Sequence, residues 1–261
     1  MAELPKTPEI DDDVDAHAGR HERTGEDDDG RITQRYVMVD GELDGDFLTY
    51  DEEGRTSSKV PFKKGEMHGD VIFFSESGKQ TQTIPYVMGI ISGMVVIRDD
   101  EGELIQRQKY LDGQQNGETL VYDNGMIQSR TTYKTGKKNG AFTMYGEQGK
   151  PSMDGQYVDD KLHGPSNVYI EDGTQIMTIH YRAGKKHGKT LEYTLEGKVR
   201  VSTEYKADKR DGEMAEYFEK GGLRKKQLFE DGKPVGDPIE YDTKGRRIKK
   251  KKKGAQAPHE H

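Results

Sequence analysis

The chain has 261 residues, a formal net charge of -7 and no cysteine; only 30% of it is apolar, with a mean hydropathy of -1.03. That excludes a disulfide frame, a thiol nucleophile and a cysteine-based zinc site, and no run approaches the roughly 18 apolar residues of a membrane-spanning helix. So few apolar residues cannot build a conventional two-layer core, but they suffice for stacked units that need contacts only with their neighbours.

Residues 1–30 are acidic and poor in apolar side chains, with Asp11, Asp12, Asp13, Asp15, Glu26, Asp27, Asp28 and Asp29 among them. Such a segment cannot offset its ordering entropy by burial and is expected to be a disordered tail. It has neither the basic start nor the apolar stretch of a signal peptide, so a cytoplasmic location is expected.

From residue 31 to 245 a 24-residue period takes over. An aromatic recurs at Phe62, Tyr86, Tyr110, Tyr133, Tyr157, Tyr181, Tyr205 and Phe229. A second aromatic slot, 12 residues later, holds Tyr50, Phe74, Tyr122, Tyr145, Tyr169, Tyr193, Tyr217 and Tyr241. Glycine keeps the same clock, as at Gly184, Gly188 and Gly197. A period of this length means stacked supersecondary units.

The loop chemistry makes each unit a hairpin. After Tyr193 come three residues and then Gly197, which suits a three-residue loop whose last residue is left-handed. Tyr193 then faces Val199, and Leu191 faces Val201. One unit is a residue shorter and carries Asn124-Gly125, the signal of a two-residue type I′ turn, which makes Tyr122 face Ile127. The link Tyr181-Arg182-Ala183-Gly184 reads as a second three-residue loop. The expected fold is all-β: an elongated, single-layer antiparallel meander of stacked hairpins, about nine units and about eighteen strands, starting with Arg31 to Met38.

A straight count of strand alternation puts Leu48, Tyr50, Ile72, Phe74, Leu120, Tyr122, Leu191 and Tyr193 on one face. Val60, Ile84, Ile179, Val199 and Val201 join them as the expected core. The opposite face then carries Phe47, Val71, Phe73, Val95, Ile97, Val121, Phe142 and Met144 in the first units, and Thr190, Glu192, Met214, Glu216, Pro238 and Glu240 in the last. A second apolar face on half of the array is an expected partner-binding surface. The chain closes at residues 246–261 with a basic run, Arg246, Arg247, Lys249, Lys250, Lys251, Lys252 and Lys253, expected to be a disordered, solubilising tail that terminates the sheet edge, with anion or lipid contact as the alternative role.

With aromatic and glycine slots laid out, YRAGKKHGKTLEYTLEGK, YKTGKKNGAFTMYGEQGK and YVDDKLHGPSNVYIEDGT resemble the units of bacterial MORN-variant repeat proteins, often described as antitoxin-like. The likeness covers residues 38 to 245 or so. Arg98 in the second aromatic slot, and Asp160 and Asp208 in the first glycine slot, depart from the pattern. The resemblance implies a β-hairpin array used for protein or lipid contact, with no enzyme activity of its own.

His68, His163 and His187 share one slot, which would suit a metal row. Asn116, Asn139 and Asp211 replace them elsewhere and no carboxylates accompany them, which favours a polar residue beside a turn. His17, His21, His259 and His261 sit in charged tails and read as solvated. No nucleophile elbow, phosphate loop or HExxH occurs, so no catalytic, cofactor-binding or metal residue is assigned. Nucleic acid is disfavoured too, because the body is acidic and aromatics do not interleave with the basic residues. The reading is a non-catalytic protein-binding scaffold: an antitoxin, immunity or accessory protein for a toxin or secreted effector. The alternative is a peripheral adaptor on an anionic membrane. A monomer is expected, with weak head-to-tail association through its oppositely charged tails at low salt.

Overall fold

The computed structural model describes residues 4–6 and 18–248, so the expectations placed on Asp11 to Asp15, His17, Lys249 to Lys253, His259 and His261 lie outside the described residues. Every regular element among the described residues is a β-strand, and each strand is antiparallel to its partner. The chain divides into two compact units, Met1–Gly149 and Lys150–His261. The division falls just after the loop closed by the Gly149 N–H bond to the Gly146 carbonyl.

Among the described residues the first unit holds fourteen strands, from Arg20–Glu26 to Lys137–Tyr145, and the second nine, from Pro151–Val158 to Lys233–Glu240. Four of these are two-residue pieces, Glu42–Leu43, Glu66–Met67, Ile90–Ile91 and Lys161–Leu162, each continued one residue later by a six-residue strand. Joined to their continuations they leave nineteen strands, one more than expected.

The additional strand is Arg20–Glu26, which pairs with Ile32–Val39 and corrects the assignment of residues 1–30 to a disordered tail. Its acids are loop chemistry. Asp27 Oδ1 accepts the backbone N–H groups of Asp29 (3.0 Å) and Arg31 (2.9 Å), and Arg31 reaches back to Asp27 and Asp29. At the other end Arg247 bridges to Tyr241, and the Ile248 N–H donates to the Glu240 carbonyl at 2.8 Å. The sheet therefore runs past residue 245, where the basic tail was expected to begin.

The three-residue hairpin loops are as expected. Thr194 N–H donates to the Lys198 carbonyl at 2.8 Å, Gly197 has φ of 76°, and Tyr193 pairs with Val199. In the shortened unit Tyr122 pairs with Ile127. The links between units are different from expectation: Arg182 pairs with Lys185 across only Ala183 (φ 51°) and Gly184 (φ 84°). Two consecutive positive φ values make a type I′ turn, whose twist matches that of the strands it joins. The same turn recurs at Lys64-Gly65, Met88-Gly89, Asp112-Gly113 and Thr135-Gly136.

One residue past each three-residue loop the ladder slips. Tyr50 pairs with Thr56 but Thr49 with Ser58; Tyr193 pairs with Val199 but Glu192 with Val201. A single-residue bulge moves every later side chain to the other face. Val60 therefore lies opposite Phe47, and Ile84 opposite Val71, instead of joining Leu48 and Ile72. The Phe47 and Val71 face, expected to bind a partner, is therefore the buried one and includes Val60 and Ile84 of the expected core, while Leu48 and Ile72 are only half-buried.

The buried cluster of the first unit is Phe47, Val60, Val71, Phe73, Ile84, Tyr86 and Val95, and Tyr36, Phe62, Met67, Ile91, Ile97 and Tyr110 pack against it. The Phe47 ring meets Tyr36 at 5.8 Å between centroids and Phe62 edge-on at 6.4 Å. A second irregularity brings the cover into place. Between the I′ turn and the long strand each unit carries a positive-φ glycine, such as Gly93 (φ 131°), where an added Cβ would stand 2.7 Å from Pro85 Cγ. Only glycine allows that approach. Beyond this point Met67 and Ile91, with the first-slot aromatics, lie against the cluster. The slot itself is buried through most of the array, at Phe47, Val71, Val95, Thr119 and Phe142 in the first unit and Ser166 and Thr190 in the second, and is half-buried at Met214 and Pro238.

Candidate protein-binding edges

The partner-binding residues read from the sequence are largely interior. Phe47 is 1% exposed, Val71 and Val95 are 0%, and Phe73 and Phe142 are also buried. Ile97 and Val121 are half-buried, and only Met144 is exposed. These eight residues form no open apolar face, because the bulges turn them inward. Of the anion candidates, Arg246 is committed to its own loop: Nε donates to Asp242 Oδ2 at 2.8 Å and the backbone N–H to Asp242 Oδ1 at 2.9 Å. Arg247 is exposed.

The hairpin loops and the I′ turns instead present side chains that the interior does not claim. At the hairpin loops an aspartate opens the loop and an arginine four residues on closes it, as at Asp27 with Arg31, Asp51 with Arg55 and Asp242 with Arg246. The Arg31 and Arg246 backbone N–H groups hold the carboxyls of Asp27 and Asp242 below the ordinary range. At Asp51 partial burial pushes upward, but the Arg55 side chain and backbone outweigh it and the pKa falls. The sequence D-x-x-G-R carries this clamp, and it is structural.

The I′ turns form an ordered row in each unit. In the second, Gly184 N–H donates to the Leu162 carbonyl (2.8 Å), Asp208 N–H to Lys186 (3.0 Å) and Gly232 N–H to Arg210 (2.8 Å), so each turn is hydrogen-bonded to the one before. Lys161, Lys185, Lys209 and Lys233 occupy one slot along this row and are all exposed. With two strands per repeat they are spaced by about 10 Å. Aspartates stand among them: Asp208 Oδ1 accepts the Lys186 N–H at 2.8 Å, and Lys209 Nζ lies 2.6 Å from Asp231 Oδ1. Lys186 and Arg210 rest over the rings of Tyr205 and Phe229, at 5.4 and 4.1 Å from their centroids.

The histidine slot lies at the second irregularity. His68 and His163 donate their backbone N–H groups to the Pro61 and Gln156 carbonyls at 2.9 and 3.0 Å. No cluster of three or more His, Asp or Glu side chains that could hold a metal ion occurs among the described residues. A connected polar group lies in the second unit. Asp154 accepts from Tyr169 Oη (2.7 Å) and Asn167 Nδ2 (2.9 Å), and Thr178 Oγ1 donates to Asn167 Oδ1 (3.0 Å). Burial first, and then the hydrogen bond and charge of Asp154, push the Tyr169 phenol up to about 12. Burial likewise raises Tyr86, Tyr110 and Tyr181.

No protein-family profile matches the chain, and no curated protein matches it. Among solved structures it is similar to a chain of the TcdB2-TccC3-Cdc42 crystal structure, at 13% identity and a TM-score of 0.21, covering 84% of this chain and 14% of that one. A chain of the Photorhabdus luminescens Tc holotoxin pore gives the same identity, TM-score and coverage. The chain thus spans a small part of these proteins' length, and at that TM-score the likeness carries no argument.

Proposed function

We propose that this chain is a non-catalytic, protein-binding repeat scaffold of the MORN-variant kind, and that it engages its partner, a toxin or secreted effector, through its turn edge. The observation that carries the reading is the regular row of Lys161, Lys185, Lys209 and Lys233 with Asp159, Asp160, Asp208 and Asp231 set between them. The two middle turns are basic (Arg182, Lys185 and Lys186; Lys206, Lys209 and Arg210 with Asp208) and the outer two are net acidic (Asp159, Asp160 and Lys161; Glu230, Asp231 and Lys233). A rigid ladder of fixed charge blocks favours a partner with a fixed complementary pattern, since juxtaposed like charges penalise the wrong surface. A fluid anionic membrane would attract the basic middle turns and repel the acidic outer ones, so the same observation favours a protein partner over lipid. An antitoxin, immunity or escort role fits a surface of this kind, because neutralisation needs tight contact and no chemistry.

The test is co-purification with the protein encoded beside it, together with a growth assay in which that protein is expressed alone or with this chain. Binding and rescue of growth are expected. A Lys185→Glu/Lys209→Glu variant should lose both while retaining its β-type circular dichroism. Binding unaffected by that variant, or binding to anionic vesicles of comparable strength, would sink the proposal.

A further inference from the structure

The I′ turns of the first unit form their own row. Gly65, Gly89, Gly113 and Gly136 donate their N–H groups to the Leu43, Met67, Ile91 and Gln115 carbonyls at 2.8–2.9 Å, which ties five consecutive turns together. The central turn is apolar and open: Val87 is 50% exposed, Met88 47% and Ile90 51%. Met88 is held at φ of 48°, a conformation that costs a long apolar side chain about 1 kcal/mol. Nothing in the turn needs it, since Asp40 and Asp112 fill the same slot with the same φ.

Charge is arranged antisymmetrically about this centre. The first turn, with Asp40 and Glu42, carries two negative charges; the fifth, with Lys134, Lys137 and Lys138, carries three positive charges. The second turn (Lys63, Lys64, Glu66) has one net positive charge, and the fourth, with Asp112, one negative. Turned end for end, the row meets itself with first against fifth, second against fourth, and the apolar turn against its own copy. Each opposition is attractive or apolar.

We propose that two copies of this chain associate through the turn edge of the first unit, around a two-fold axis at Met88. A two-fold contact requires a self-complementary surface, and this row is one. Five turns of five residues give each partner about as many residues as a standard interface uses. The desolvated centre is Val87, Met88 and Ile90, and the charged turns on either side set register. The contact goes beyond the proposed function and uses other residues, so either can fail without the other.

Sedimentation of the full chain over a concentration series should show a monomer–dimer equilibrium. In a Val87→Lys/Met88→Asp/Ile90→Glu variant each new residue already occupies the same slot in another turn of the row (Lys63, Asp40, Glu42), so the fold is kept. Its dissociation constant should rise about a hundredfold. Lys134→Glu/Lys137→Glu and Asp40→Lys/Glu42→Lys variants should each dimerise at least about tenfold more weakly, and an equimolar mixture should restore the dimer as a heterodimer. A chain that stays monomeric at its highest soluble concentration would overturn the proposal. So would a dimer indifferent to the apolar triple variant, or an association abolished by deleting residues 1–17.

Discussion

Phe47 and Leu48 are neighbours on one strand and point to opposite faces, so truncating each in turn reports which face is the core. Phe47 is 1% exposed, lies opposite Val60 and holds the rings of Tyr36 and Phe62. Phe47→Ala removes a fully buried ring from a cluster fixed on several sides, and the expected loss is about 3–4 kcal/mol. Leu48 is half-buried, and its cross-strand partners are Arg35 and Lys59. Leu48→Ala gives up only part of a leucine's transfer free energy, about 1 kcal/mol. With a urea dependence of about 2–3 kcal/mol/M, Phe47→Ala should lower the first unit's midpoint by about 1 M and Leu48→Ala by a third of that. Circular dichroism follows the transition, and amide exchange of Gly45–Tyr50 and Thr56–Lys63 assigns it to these strands. Equal losses, or a larger loss at Leu48, would refute the burial of the Phe47 face and the bulge that creates it.

In the second unit the hydroxyls of Ser166 and Thr190 are buried without a hydrogen-bond partner. Because Val71 and Val95 hold the same slot in the first unit, Thr190→Val should stabilise by about 1 kcal/mol, read as a higher urea midpoint; a loss would show that the hydroxyl is satisfied. Gly93→Ala should cost more than about 2 kcal/mol, since its Cβ would stand 2.7 Å from Pro85 Cγ; Gly54→Asn, at φ of 77° with nothing within 4 Å, should change the midpoint little. Tyr169 is shifted from 10.0 to about 12 in the fold, so its contribution to stability is fully present below pH 10 and is lost as pH rises towards 12. Ultraviolet difference titration should show one fewer late-titrating tyrosine in Tyr169→Phe and an earlier transition in Asp154→Asn; an unchanged curve in both would remove Asp154 from the account.

The hairpins were legible because glycine and Asn-Gly spacing reports backbone conformation directly. Tyr193 opposite Val199 and Tyr122 opposite Ile127 both follow from it. The bulge was not legible. The inserted residue is Ser57, Ile105, Gln128 or Arg200 in different units, with no shared chemistry to mark it. One unmarked residue reverses the face of every position after it, which puts Val60 opposite Phe47 in the core where simple alternation puts it beside Leu48. The I′ links had a readable signal at Asp40-Gly41, Asp112-Gly113 and Asp231-Gly232, masked by Lys64, Met88 and Ala183 in the same slot. Asp27 to Arg31 reads as part of an acidic tail by composition, yet its D-x-x-G-R order is that of the loops closed by Arg55 and Arg246.

A buried slot and a turn slot obey opposite constraints, and this decides where recognition can reside. Phe47, Val71, Thr119, Ser166 and Thr190 differ in size and polarity yet are all enclosed, so substitution there alters stability and offers a partner nothing. The turn slots hold their backbone constant, with φ between 46° and 51° at Asp40, Lys64, Met88, Asp112, Ala183 and Asp231, while their side chains run from acid to apolar to base. Geometry is therefore fixed by the glycine clock, and pattern is free to vary along the row. An array built this way can write a linear sequence of charges at about 10 Å intervals without disturbing its core. In the first unit that sequence opposes its own reverse sign for sign; in the second it does not, and its lysines and aspartates are left for a surface of different composition.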